Sequence, residues 1–196
     1  MIKPLALMAL LLAPPAFAET MSVETARGPV DAPHSPETVA VFDLAAFDSL
    51  TALSVKPQGM VRPVYLSYLE DAAAGTDVVG SLFEPDFEAL FALNPDLIIA
   101  GGRSSEQVPE LARIAPTLDM TIWEDTIGEG LARLATYGEI FDKEEQAAAL
   151  AADFQTKLSE TKEALAGKGT ALIVMTNGPK ISAYGTGGRF GWLHEA

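Results

Sequence analysis

Cysteine is absent from the 196 residues, histidine occurs twice, and the 13 Lys and Arg face 27 Asp and Glu. Without cysteine there is no disulfide, no thiol nucleophile, no thiolate metal site and no cysteine for a lipid anchor. The fold must stand on its own apolar core, which a chain of this length can build. The histidines, His34 and His194, stand in no metal-ligand spacing such as H-E-x-x-H, so a zinc or manganese site built on imidazoles is not expected. There is no G-x-S-x-G nucleophile elbow and no G-x-x-x-x-G-K-[ST] phosphate loop. The formal net charge of −14 repels nucleic acid and anionic lipid at long range. An anionic ligand must therefore be held by a few locally placed cations, and each arginine at a loop tip merits individual reading.

Long apolar runs are also lacking, except at the start. Lys3, the run Leu5 to Leu12 and the triplet Ala16-Phe17-Ala18 have the layout of a secretory signal peptide over residues 1–18. The run is shorter than the roughly 20 residues that span a bilayer, and Pro4, Pro14 and Pro15 oppose a core helix. The chain reads as exported and soluble, and the missing anchor cysteine favours a Gram-negative periplasm.

What is present is an alternation of strands and helices. Residues 22–30 suggest an exposed hairpin or extended arm, with Gly28-Pro29 as its turn, and residues 38–42 a buried strand. Helical spacing of Leu44, Phe47 and Leu50 predicts a helix over 44–53. Residues 55–77 read as loop with one short helix near 64–70, and Val78-Val79 as a short strand. Glu84-Pro85 predicts a helix start with proline in its first turn, a stripe of Phe87, Leu90 and Phe91, and an end at Asn94-Pro95. The unbroken apolar run 97–100 predicts a parallel strand covered on both faces. Helix over 106–114, strand over 120–123 and helix over 127–141 complete a parallel α/β lobe. Residues 142–166 predict one helix of roughly 37 Å, opened by an Asp142/Glu145 capping box, striped by Leu150, Phe154, Leu158 and Leu165, and closed at Gly167. Its length suits a strut between lobes. Two further strands, 170–176 and 180–184, meet at Asn177-Gly178. The expected organisation is signal peptide 1–18, first lobe 19–141, interlobe helix 142–167 and the start of a second lobe over 168–196.

Two loops carry the chemistry. Gly101-Gly102-Arg103-Ser104-Ser105 follows a buried parallel strand, and ligands of open α/β sheets bind at strand carboxyl ends. Either Arg103 points into that crevice, or it pairs locally with Glu106 or Asp96. The second loop, from Gly185 to Gly191, presents Arg189 and Phe190 to a ligand, or simply ends a hairpin; Phe190 breaks the G-x-G-x-x-G pattern.

These residues resemble a known family, the siderophore-binding periplasmic proteins of ABC importers, and within it the branch that takes ferric catecholates. The resemblance lies in TVAVFDLAAFDSLTAL from Thr38, VVGSLFEPDFEALFALNPDLIIAGGRSSE from Val78, LARLATYGEIFDKEEQAAAL from Leu131 and GTALIVMTNGPKISAYGTGGRFGWLHE from Gly169. It implies a two-lobed, helical-backbone (class III) α/β fold, with the first lobe complete and the second only begun. It implies ligand contacts from Arg103 on one loop and Arg189 on the other; by position Gly102 and Ser104 beside the first and Tyr184 just before the second would line the same cleft. Tyr184 equally suits packing under its strand. A ferric catecholate is a bulky trianion with aromatic walls, and guanidinium offers it forked donors and a flat face. The resemblance further implies a monomer that binds no nucleic acid, has no covalent cofactor, leaves the iron to the siderophore, and docks an ABC permease and its ATPase through Glu88 or Glu84. Those two residues equally suit the start of a helix as plain acids. Rival readings are a binding protein for haem or a cobalamin, a nucleotide-dependent oxidoreductase using Gly101-Gly102, and a non-binding fragment.

Overall fold

The computed structural model describes residues 19–188 and 190–195. The expected signal peptide and the Arg189 side chain lie outside the described residues. The chain begins with an antiparallel hairpin, β1 (Thr20–Thr25) and β2 (Gly28–Pro33). β3 (Val39–Val41) leads through Asp43 into α1 (Leu44–Ala52), and the Asp43 carboxylate caps that helix by accepting from the Ala45 N–H. β4 (Gly59–Met60), a short 3₁₀ turn (Ser67–Leu69), α2 (Glu70–Ala73) and β5 (Asp77–Val78) follow. Then come α3 (Phe87–Leu93), β6 (Leu97–Ala100), a 3₁₀ turn (Gly102–Gln107), α4 (Val108–Leu111) and β7 (Thr117–Asp119). The last elements are α5 (Thr126–Ile140), α6 (Glu144–Leu165), the hairpin β8 (Ile173–Asn177) and β9 (Lys180–Tyr184), and α7 (Trp192–Glu195).

The five central strands form one parallel sheet in the order β5-β4-β3-β6-β7. Chain order therefore reverses between β3 and β6. Every residue of those two strands is buried, as strands covered on both faces require. Around them Phe42, Phe47, Leu50, Leu90, Leu111, Tyr137 and Ile140 fill one continuous core.

Several boundaries differ from expectation for identifiable reasons. The strand expected over 120–123 is Thr117–Asp119 instead: a polar residue ends it because its outer edge meets the first hairpin, where the Ala26 N–H donates to the Asp119 carbonyl. That hairpin is not the exposed arm expected over 22–30, since Val23 and Ala32 are buried in the core. The α3 helix opens at Asp86, whose carboxylate accepts from the Ala89 N–H; Pro85 is spent on a bridge to Gly80. Phe91, expected in the buried stripe of α3, is 70% exposed. The capping box at Asp142 does not form. Asp142 adopts φ 54° and takes a hydrogen bond from the Ser35 hydroxyl while facing His34, so α6 starts after Lys143 without a side-chain cap.

The base of α6 is wedged against the lobe. Ala147 is buried against Gly138, and Gln146 donates to the Ala52 carbonyl. Beyond it the expected stripe is largely open: Phe154 and Leu165 are exposed and Leu150 and Leu158 half-buried. The Asp153–Lys157 pair forms at 2.6 Å, and Gly167 takes φ 72°, the left-handed conformation expected just past a helix end. No helix among the described residues is long and apolar enough to cross a membrane.

Candidate functional site

Open parallel sheets present a crevice where strand order reverses, outside the carboxyl ends of the strands. Here that position lies beyond β3 and β6, at Asp43 and Gly101. The segments leaving these strands pass so closely that a Cβ on Gly101 would stand 2.6 Å from the Asp43 carboxylate and 3.2 Å from the backbone of Met120 and Thr121. Gly102 is required for a different reason: its φ of 55° is left-handed, and it turns the chain into the 3₁₀ segment that carries Arg103.

Arg103 is exposed at the tip of this turn, its guanidinium carbon 5.8 Å from the centre of the Phe83 ring, within cation–π range. Local pairing with Asp96 is not made; Asp96 Oδ2 accepts from the backbone N–H groups of Glu37 and Thr38. Among the described residues, ion pairs join Arg27 to Asp119 and Lys157 to Asp153, His34 lies 3.4 Å from Asp142, and Arg103 belongs to none of these contacts. Ser104, expected as a ligand contact, is the residue that closes the turn. It is buried, and its hydroxyl accepts from the Gly101 N–H and donates to the Gly101 carbonyl, which closes the turn on itself.

Beneath the turn lies a polar network of which the motifs contain only Ser105. The Asp119 side chain is 1% exposed. It accepts from Ser105 Oγ at 2.6 Å, from Arg27 Nε at 2.7 Å, and from the Thr121 N–H and hydroxyl. Burial alone would raise its pKa, but the donors from Ser105, Thr121 and Arg27 outweigh that and hold the carboxyl below the ordinary aspartate value. Asp43 goes the other way: burial raises its pKa, the Ala45 N–H partly opposes that, and the Asp119 charge adds to it. Burial likewise drives the Tyr137 phenol well above its usual value, with the Asp43 charge contributing. The one signal for Asp119 in the sequence is an acid followed two residues later by Thr, just after the pair Thr117-Leu118. Placing the strand three residues late hid it.

Loops leaving the carboxyl ends of β4, β5 and β7 carry exposed aromatics. Tyr65 is 66% exposed, Phe83 54% and Trp123 68%. The last is set by Glu129, which accepts the backbone N–H groups of Trp123, Glu124 and Asp125 and is thereby held below the usual carboxylate range.

The second expected loop follows β9. Tyr184 is half-buried, edge-on to Phe190 with ring centres 4.9 Å apart, and its hydroxyl donates to Met175 Sδ at 3.5 Å. Gly187, Gly188 and Gly191 of this loop border a cavity of about 310 Å³ whose other wall is Glu124, Asp125 and Thr126, so the loop faces the segment after β7. Glu88 and Glu84 are exposed on and just before the first turn of α3. Among the described residues, no group of three His, Asp or Glu is placed to hold a metal ion.

A parallel lobe with its crevice at the strand-order reversal, a long helix leaving its base and a hairpin beyond define a helical-backbone (class III) ligand-binding protein. The sequence matches the periplasmic binding protein family over residues 39–196, and the chain belongs to that family, whose members bind and do not catalyse. It is 36% identical over 172 residues to the petrobactin-binding protein YclQ of Bacillus subtilis, covering 83% of this chain and 53% of that protein. The crystal structure of YclQ superposes with a TM-score of 0.83 at 32% identity, over 91% of this chain and 65% of that one. The periplasmic catecholate-siderophore binding protein VctP of Vibrio cholerae superposes with a TM-score of 0.81 at 26% identity, over 90% of this chain and 65% of that one. The Fe(3+) dicitrate-binding periplasmic protein FecB of Escherichia coli is 30% identical over 166 residues, 80% of this chain and 51% of that protein. The chain spans about half the length of the curated relatives it matches. The family works outside the cytoplasm with ABC transporters.

Proposed function

We propose that this chain captures a ferric siderophore of catecholate type at the carboxyl edge of its parallel sheet and delivers it to an ABC permease for iron uptake. The observation that carries the reading is Arg103: a guanidinium held out on a buried, self-closed turn above an aromatic ring, in a chain of net charge −14. Tyr65, Phe83 and Trp123 on loops of the same edge supply flat apolar faces for catechol rings. The name of VctP, a catecholate-siderophore binding protein, supports this ligand class. Gly102 adds backbone approach, and Arg189 with Tyr184 adds a second cationic, aromatic loop from beyond α6. The lobe boundaries are those expected from the sequence, 19–141, 142–167 and 168–196, after export by a signal peptide over 1–18 into the periplasm. The chain acts as a monomer, with Glu88 and then Glu84 as the acids that meet the permease, whose ATPase drives transport.

Fluorescence of Trp123 and Trp192 tests the reading. Titration with a ferric tris-catecholate is expected to quench the emission saturably, while haem and cobalamin leave it unchanged at equal concentration. Quenching by haem alone would give the site to a porphyrin, and no response to any of the three would remove the ligand-binding reading.

A further inference from the structure

Both sides of Arg103 are tied to one buried carboxylate. On one side, the Gly102 N–H donates to Thr121 Oγ1 at 2.9 Å, and that hydroxyl in turn donates a hydrogen bond to the Asp119 carboxylate. On the other, Ser105 Oγ donates to Asp119 at 2.6 Å. Arg27 completes the ring from the first hairpin: Nε donates to Asp119 at 2.7 Å, and Nη2 to the Ser105 carbonyl at 2.8 Å. The tip that bears Arg103 is thus pinned immediately before and two residues after by groups that converge on Asp119.

The arrangement also has an electrostatic consequence. A bare carboxylate under an anion-binding loop would repel the guest. Arg27 neutralises it in place, so the acid can organise the loop without opposing the charge that Arg103 recognises. Arg133 buttresses the same segment by donating to the Glu24 and Thr121 carbonyls.

We propose that Asp119, acting through Thr121 and Ser105 and neutralised by Arg27, is the positioning residue that fixes Arg103 for recognition of an anionic guest. This rests on the site reading above, and the test separates the two. Thr121→Val keeps the shape of the side chain and removes the hydroxyl that links Gly102 to Asp119. Thr121→Ser restores it. Amide hydrogen exchange in the ligand-free full chain reads the linkage directly. In T121V, Gly102 is expected to exchange about tenfold faster, while Ile98 and Ile99 of β6 keep their rates and T121S behaves as wild type. Calorimetric titration with a ferric tris-catecholate is expected to show T121V weakened by about five- to tenfold, T121S near wild type, and R103A weakened at least as much as T121V. Unchanged Gly102 exchange in T121V overturns the proposal. So does T121V binding at wild-type affinity while R103A is weakened, and that result leaves the recognition site standing. R103A binding as tightly as wild type removes the site itself, and the positioning role falls with it.

Discussion

Asp43 and Asp119 both stand at the carboxyl edge of the sheet, yet their surroundings push them in opposite directions. Asp119 is stabilised as an anion by Ser105, Thr121 and Arg27; Asp43, buried and exposed to the charge of Asp119, is disfavoured as one. A carboxyl whose folded pKa is depressed contributes stability above its unfolded pKa and loses it as pH falls through the folded value. A carboxyl whose folded pKa is raised contributes fully below the unfolded pKa and loses that as pH rises through the folded value. Asp119→Asn is therefore expected to destabilise the lobe by about 1–3 kcal/mol at neutral pH, with the gap to wild type closing in acid below the ordinary aspartate range. Asp43→Asn keeps an amide oxygen to cap α1, so it is expected to match or exceed wild-type stability at neutral pH and lose that advantage in acid. Urea denaturation at a series of pH values checks both. A D119N deficit that stays constant into acid would contradict the assignment of that carboxylate as the stabilising anion.

At the scale of elements, the elbow between α5 and α6 decides how the long helix leaves the lobe. A Cβ on Gly138 would stand 2.8 Å from the Ala147 Cβ and 3.2 Å from the Glu144 Cα, against backbone that cannot yield cheaply. Gly138→Ala is expected to cost about 1–3 kcal/mol from overpacking, seen as a lower thermal midpoint. A midpoint equal to wild type would show that the elbow is loosely packed. Elements written in strong patterns were legible in the sequence: the apolar run of β6, the spacing of α1, the long helix and the Asn94 stop, which takes φ 50°. Elements set by tertiary partners were not. β4 is two residues long and exists only as a partner of β3 and β5. β7 ends in an acid that only the Arg27 hairpin explains. The same holds within the site: Gly102 and Arg103 are visible because glycine and arginine are informative at a loop tip, whereas Asp119, Thr121 and Arg27 lie far apart in sequence and meet only in the fold. The stripe on α6 was legible as a pattern, but the structure leaves most of it open.

At the scale of the whole molecule, the region beyond α6 differs from the lobe. Residues 166–172 are exposed, and Leu172, Val174, Met175 and Ile181 on or beside the second hairpin are also exposed. A two-stranded hairpin is marginal in water by itself. Limited trypsin digestion is expected to cut first at Lys168 and leave a resistant core reaching back through the parallel sheet; first cleavage within the lobe would contradict that division. The charge balance works at the same scale. A chain of net charge −14 repels an anionic guest at a distance, so recognition must come from contacts at close range, with Arg103 first among the described cations. Isothermal titration calorimetry of a ferric tris-catecholate against wild-type and Arg103→Ala protein measures this directly. The variant is expected to bind at least about tenfold more weakly, with a thermal midpoint close to wild type, because a loop-tip arginine adds little to the core. Equal affinities in the two proteins would contradict it.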